Sequence, residues 1–224
     1  MAGNILLHDR CAISVPVLYF LILQLYCGSD EFEDRKSGGR RKEIAYSINT
    51  NTMKIITCDT SYSSQILAIF NEAILNTTAL YDYYPRTEKM MEDWFATKQK
   101  GNYPIIGLVD EQNTLLAFGT YGMFRERPAY KYTVEHSLYV HTAHQGKGYG
   151  KIILQEIIDA ARAQDYHTLV AGIDAANQVS KKLHSSFGFK HCGTLPAVAF
   201  KFGGWLNLDF YQLILDTPLK PVDG

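Results

Sequence analysis

The run from Thr133 to Lys151 constrains this chain more than any other stretch. Thr133-Val134-Glu135-His136-Ser137-Leu138-Tyr139-Val140 alternates apolar and polar residues as a half-buried strand does. It passes through His141-Thr142-Ala143-His144 into Gln145-Gly146-Lys147-Gly148-Tyr149-Gly150-Lys151, and then into apolar residues at helical spacing: Ile153, Leu154, Ile157, Ile158 and Ala161. A glycine-rich turn between a strand and a helix start leaves several backbone N–H groups without an intrahelical partner, and the helix dipole adds partial positive charge there. The turn is therefore expected to hold a phosphate or pyrophosphate, with Gly146, Gly148 and Gly150 letting the backbone approach the anion.

Other elements follow on either side. Met53 to Cys58 alternates like a first strand, and Asp59 or Thr60 suits the cap of the helix after it, whose Ile66, Ile69, Phe70, Ala73 and Ile74 share a face. Asn76 to Pro85 reads as a polar, aromatic loop. Thr87 caps a second helix to about Gln99, with Met90, Met91, Trp94 and Phe95 expected to turn inward. Strands at Pro104 to Val109 and Thr114 to Phe124 flank the turn Glu111-Gln112-Asn113, and Arg125 to Tyr130 forms a polar turn before the central run. After it come a strand at Thr168 to Ile173 and a helix with Val179, Leu183 and Phe187 on one face, ended by Gly188. Two closing strands, roughly Cys192 to Phe202 and Trp205 to Leu215, join at Gly203-Gly204. The order βααββ(β)αβαββ, without an internal repeat, indicates an α/β (α+β) fold with a mixed sheet flanked by helices.

Composition matters mainly for what it excludes. A net charge of −1 gives no case for a nucleic-acid partner. Cys11, Cys27, Cys58 and Cys192 lack metal-ligand or disulfide-framework spacing, so no metal is expected and the chain reads as a cytoplasmic protein with reduced thiols. Residues 1–52 stand apart. Ala12 to Tyr26 is mainly apolar but shorter than the roughly 20 residues of a membrane-spanning helix, and a polar stretch follows from Asp30 to Lys42. A membrane anchor at 12–26, an export signal, or an extension outside the working protein are the alternatives, and the last is favoured because Met53 begins a complete domain pattern.

Gln145-x-x-Gly148-x-Gly150, after a strand ending Leu138-Tyr139-Val140, resembles the acyl-CoA motif of the GNAT N-acetyltransferase superfamily. Asn177-x-x-Ser180-x-x-Leu183-His184-x-x-x-Gly188-Phe189 resembles its second signature at the separation that superfamily uses. More narrowly, Thr133 to Val140 and Phe200-Lys201-Phe202-Gly203-Gly204-Trp205 are similar to the phosphinothricin and methionine sulfone/sulfoximine N-acetyltransferases. The resemblance runs from about Met53 to Asp216. It implies a domain at 53–218 with a short tail at 219–224 and a mostly antiparallel sheet splayed at the acetyl-CoA site. It further implies acetyl transfer from acetyl-CoA to the α-amine of a small amino acid or toxic analogue, and a homodimer.

The resemblance also assigns residues. The pantetheine arm would bond the open edge of Leu138, Tyr139 and Val140 as an added strand would, and Asn177 would contact that arm. Gln145, Gly146, Lys147, Gly148, Tyr149, Gly150 and Lys151 would hold the pyrophosphate, chiefly through amides. Glu135 would deprotonate the amine, directly or through water, and His184 would protonate the departing thiolate, where many superfamily members carry tyrosine. Arg125 or Arg127 would bind the substrate carboxylate, His136 would hydrogen-bond within the site, and Tyr81 and Tyr84 would line the pocket. Phe200 to Trp205 would shape a subunit interface or close the pocket, or be an ordinary strand turn. No Cys or Ser stands in a nucleophile arrangement, so direct attack by the amine is expected. The rivals are acetylation of a polyamine, an aminoglycoside or a protein N-terminus, and a CoA-binding sensor without catalysis.

Overall fold

The computed structural model describes residues 53–223. The expectations for residues 1–52, including the apolar run 12–26, fall outside these. Eleven elements follow in chain order: β1 (Met53–Thr57), α1 (Ser63–Asn76), α2 (Glu88–Lys100), β2 (Ile105–Asp110), β3 (Leu115–Met123), β4 (Thr133–Val140), α3 (Tyr149–Ala163), β5 (Thr168–Asp174), α4 (Gln178–Ser186), β6 (Lys190–Lys201) and β7 (Gly204–Ile214). Short 3-10 turns precede α1, β4 and α3. Among the described residues, no helix is long and apolar enough to cross a membrane.

The strands form one sheet in the order β1-β2-β3-β4-β5-β7-β6. Every neighbouring pair is antiparallel except β4 with β5. That parallel pair is brief, running only from Thr133–Thr168 to Glu135–Val170. On its other side β4 stays paired with β3 from Val134 to Val140, and β5 stays paired with β7 from Thr168 to Asp174. Beyond Glu135 and Val170 the two central strands therefore part.

Each face of the sheet has its own core. Ile153, Leu154, Ile157, Ile158 and Ala161 of α3 are all buried against residues such as Val134, Leu169 and Ala171. Each larger aliphatic side chain there contributes roughly 2 kcal/mol on burial. The opposite face carries α1 and α2 through Ile66, Ile69, Phe70, Met91 and Phe95. One inward assignment needs correcting. Met90 is 48% exposed, because Met91 and Phe95 already fill the narrow contact of α2 with the sheet. Val179 is 81% exposed; it lies in the first turn of α4, a turn before Leu183 reaches the core.

Local caps set where helices begin. Thr87 Oγ1 accepts from the Met90 amide and starts α2. Asp59 caps the 3-10 turn Thr60–Tyr62, whereas α1 itself begins without a side-chain cap. Asn177 Oδ1 accepts from the Ser180 amide at 3.0 Å and starts α4. Gly188, at φ 88°, ends α4 in the left-handed conformation glycine takes without steric penalty.

Candidate active site at the parting of β4 and β5

A cavity of about 430 Å³ opens where β4 and β5 diverge. Its walls come from both strands, from the loop after α1 and from α4. Glu135, His136, Asn177, His184 and Tyr81 all line it, as do the β4 residues Leu138 and Tyr139. Among the described residues, the β4 edge that faces the cavity has no strand partner after Glu135, so it can accept an extended ligand by backbone hydrogen bonds.

Glu135 sits on the last paired rung before the gap. Solvent reaches its side chain through the mouth of the cavity. The surrounding walls nevertheless raise its carboxyl pKa above the usual range by desolvation, and the Arg125 guanidinium opposes this only in part. A carboxylate raised in this way is a stronger proton acceptor once ionised.

His136 of β4 and His184 of α4 stack, with ring centroids 5.1 Å apart and planes at 24°. Phe189 meets both rings edge-on. His184 Nδ1 lies 2.7 Å from the Ser180 carbonyl oxygen, which can only accept, so Nδ1 carries the proton and donates. Its Nε2 is buried with no hydrogen-bond partner, as are both ring nitrogens of His136. Burial lowers the pKa of each ring; the Ser180 carbonyl partly offsets this for His184, while the His184 ring reinforces it for His136. Both imidazoles are therefore neutral near pH 7, and His184, which lines the cavity, keeps a bare, buried Nε2.

The glycine turn closes the outer end of β4. Gly146 and Gly148 have φ of 77° and 86°, and a Cβ at either would meet nothing within 4 Å, so both are open to a ligand. Gly150 departs from the expectation: it is helical, and a Cβ there would stand 3.3 Å from Leu183 Cδ2, so it serves the packing of α3 on α4. Gln145, Lys147 and Lys151 are exposed around the turn, and Lys147 Nζ contacts His144 Nδ1 at 3.3 Å. The turn leads directly into the first turn of α3, where a helix dipole places partial positive charge.

Arg125 and Arg127 line a separate hollow of about 410 Å³ with Tyr103, Tyr130 and Tyr166. Of the two, only Arg125 acts electrostatically on Glu135, and its guanidinium rests over the Phe124 ring at 4.9 Å. Tyr84 is largely exposed and lies outside the main cavity. Burial pushes the Cys58 thiol up to about 12, which leaves it inert as a nucleophile.

With this geometry in place, the description "Acetyltransferase (GNAT) family" matches the chain over residues 68–189, from within α1 to the end of the α4 signature. The chain belongs to the GNAT acetyltransferases. It is 42% identical over 151 residues to the L-methionine sulfoximine/L-methionine sulfone acetyltransferase of Pseudomonas aeruginosa, spanning 67% of this chain and 88% of that protein. The N-acetyltransferase of Staphylococcus aureus superposes with a TM-score of 0.71 at 48% identity, covering 72% of this chain and 98% of that one. The phosphinothricin acetyltransferase of Sinorhizobium meliloti, solved in complex with acetyl-CoA, superposes with a TM-score of 0.73 at 31% identity, covering 77% and 95%.

Two supports of this GNAT site escaped sequence reasoning. Lys201, only 4% exposed, donates from Nζ to the carbonyls of Ile74, Thr77 and Leu80 at 2.7, 2.9 and 2.6 Å. It thereby caps the end of α1 and ties the loop that carries Tyr81 to β6, and Tyr83 adds a bond to the Phe200 carbonyl at 2.7 Å. Lys181 Nζ bonds buried Asp209 Oδ2 at 2.8 Å and the Ala175 carbonyl at 3.1 Å, holding the turn before Asn177 against β7. Burial works against ionising Asp209, yet bonds from Lys181 and Thr194 outweigh it and lower the carboxyl. Apart from the local Lys181–Ala175 bond, the partners lie 28 to 127 residues apart in the chain (Lys181–Asp209 and Lys201–Ile74), so no local pattern announces them.

Proposed function

We propose that this GNAT enzyme transfers the acetyl group of acetyl-CoA to the α-amine of a small amino acid or an analogue of the phosphinothricin or methionine sulfone/sulfoximine type. The observation that carries this reading is Glu135 standing where β4 and β5 part, in one cavity with the bare Nε2 of His184. The named substrates of the similar Pseudomonas and Sinorhizobium enzymes support the acceptor class.

Acetyl-CoA supplies the acetyl thioester. Its pantetheine arm fits the open β4 edge beside Asn177, whose Oδ1 is engaged as a cap while Nδ2 remains available. Its pyrophosphate fits the open turn from Gly146 to Gly150, while the Lys151 amide is engaged by the Gly148 carbonyl at 3.0 Å. Glu135 takes a proton from the α-ammonium, directly or through water, and the neutral amine attacks the thioester carbon. As the C–N bond forms and the C–S bond breaks, the second proton lost from the attacking nitrogen is received by His184 at Nε2 and passed to the departing sulfur, while Nδ1 stays on the Ser180 carbonyl. Arg125, which lines the separate hollow but acts electrostatically on Glu135, is the group assigned to the acceptor carboxylate, and Tyr81 and His136 line the cavity beside Glu135.

The test is acetyl-CoA-dependent thiol release by the full chain against the common amino acids, methionine sulfone, methionine sulfoximine, phosphinothricin, plain amines and a polyamine. Turnover confined to α-amino acids and their analogues is expected. Saturable CoA binding with no turnover on any amine would instead make the chain a sensor.

Two substitutions divide the roles. Arg125→Ala should raise KM for carboxylate-bearing acceptors about 10- to 100-fold, the worth of a charged hydrogen bond. An equal loss on plain amines counts against it. His184→Phe keeps the stack on His136 but removes Nε2, and should lower kcat by about 10²-fold with the KM for acetyl-CoA nearly unchanged. Wild-type turnover in that variant would dismiss the proton-transfer role.

We also read the enzyme as a cytoplasmic homodimer. Phe200, Phe202 and Trp205 are 44%, 63% and 68% exposed on the β6–β7 hairpin at the sheet edge, an apolar surface that association would cover. Neither Cys58 nor Cys192 is in a disulfide. Trp205→Glu should convert a dimer to a monomer in light scattering; a wild-type monomer at micromolar concentration rules the dimer out. Recovery of the full chain with membranes on fractionation would refute the cytoplasmic assignment.

A further inference from the structure

Gly172, on β5, is the least expected residue in the cavity wall. It lies inside a strand, paired with Phe210 of β7, and its φ is not in the left-handed region where a turn would demand glycine. Glycine in an extended strand forfeits side-chain packing and increases the entropy lost on folding. Its presence is therefore explained by space. A Cβ at Gly172 would stand 3.2 Å from Glu135 Oε1 and 3.4 Å from Leu208 Cδ1. Glu135 belongs to β4, and its last paired rung is with Val170, two residues before Gly172 on the same face of β5. The carboxylate thus leans across the mouth of the gap, over the bare backbone of the neighbouring strand.

We propose that Gly172 is a positioning residue for the reaction: the missing side chain on β5 forms the slot that seats the Glu135 carboxylate where the strands part, facing the acceptor amine. This rests on the reading of Glu135 as the proton acceptor and adds where that group's position is set. The side chain of glutamate is long and carries several rotatable bonds, so β4 alone does not hold its oxygens in one place. Leu208 bounds the slot on the β7 side, and the absence of a Cβ at residue 172 leaves the other side open. A methyl group there presses the carboxylate away by a few tenths of an ångström. Small displacements of a reacting group carry large rate penalties, because the aligned geometry is what makes the transfer efficient.

The experiment is a double-mutant cycle with Gly172→Ala and Glu135→Gln in the full chain, read by kcat, by KM for acetyl-CoA and by thermal melting. Gly172→Ala is expected to lower kcat about 5- to 20-fold, with KM for acetyl-CoA within about twofold. The melting temperature should hold or rise by roughly 1–3 °C, since alanine suits an extended strand and narrows the unfolded ensemble. A fall in turnover beside a rise in stability separates positioning from a merely structural role. In the Glu135→Gln background the added alanine should cost less than twofold, because the seat no longer matters once the carboxylate is gone. If Glu135→Gln lowers turnover but Gly172→Ala matches wild type, or if its loss is the same in both backgrounds, the slot is overturned while the base assignment stands. If Glu135→Gln leaves turnover unchanged, the base assignment fails and the slot fails with it.

Discussion

Glu135→Gln is expected to lower kcat/KM near neutral pH by roughly 10²- to 10⁴-fold, the usual contribution of a positioned general base. The loss should shrink as pH rises, because free amine then becomes plentiful and no group need remove its proton. In the wild type, desolvation holds the Glu135 carboxyl above its ordinary value despite Arg125. The acid limb set by Glu135 should therefore lie at higher pH than an exposed glutamate would give, and in the variant it should be replaced by a rise that follows the free-amine fraction. The stability consequence has a definite sign. A carboxyl whose folded pKa is raised above its unfolded value favours the fold only while protonated, and that contribution is lost as pH rises through the folded value. At neutral pH the neutral glutamine should thus fold at least as well as glutamate. A pH series of thiol release, paired with thermal melts, checks both parts; an unaltered rate and pH profile would sink the assignment.

Lys201→Met should have the largest effect on stability and a selective effect on the acceptor. The ammonium satisfies three main-chain carbonyls at the end of α1 and in the loop that follows. Its removal leaves those oxygens unpaired beside an apolar side chain, a loss of about 2–4 kcal/mol. For a domain of this size that is a fall in melting temperature of roughly 5–10 °C. The same loop supplies Thr78 to Tyr81 to the cavity wall, so its release should raise acceptor KM severalfold while acetyl-CoA KM changes little. Calorimetry and two-substrate kinetics read the two effects. A variant that melts and binds its acceptor like wild type would show that the three bonds hold nothing in place.

The fold was most legible in the chain where its cause is local. The five apolar residues of α3, the caps at Thr87 and Asn177 and the stop at Gly188 each follow from spacing or from a single side chain. The inward turn assigned to Met90 failed because helical spacing names a face without saying how much of it the sheet covers. The short pairing of β4 with β5 cannot be read from alternation, which continues unchanged through His136 to Val140. It was anticipated only through the resemblance of the glycine turn and the Asn177 signature. Within the candidate site, the motif residues Glu135, His184 and Asn177 share one cavity, whereas Arg125 and Arg127 line another hollow. Lys201 and the Lys181–Asp209 pair stayed hidden because their bonds join segments far apart in the chain.

The brief union of β4 and β5 makes the sheet two half-sheets joined at a seam of three backbone rungs. One half, β1 to β4, carries Glu135 and the glycine turn; the other, β5 to β7, carries Gly172 and the hairpin edge. In the proposed reaction, a pantetheine arm lying along the open β4 edge would act as a removable strand as well as part of a reactant. Its arrival would lengthen the seam and its departure as product would shorten it again, so the continuity of the sheet would vary with each turnover.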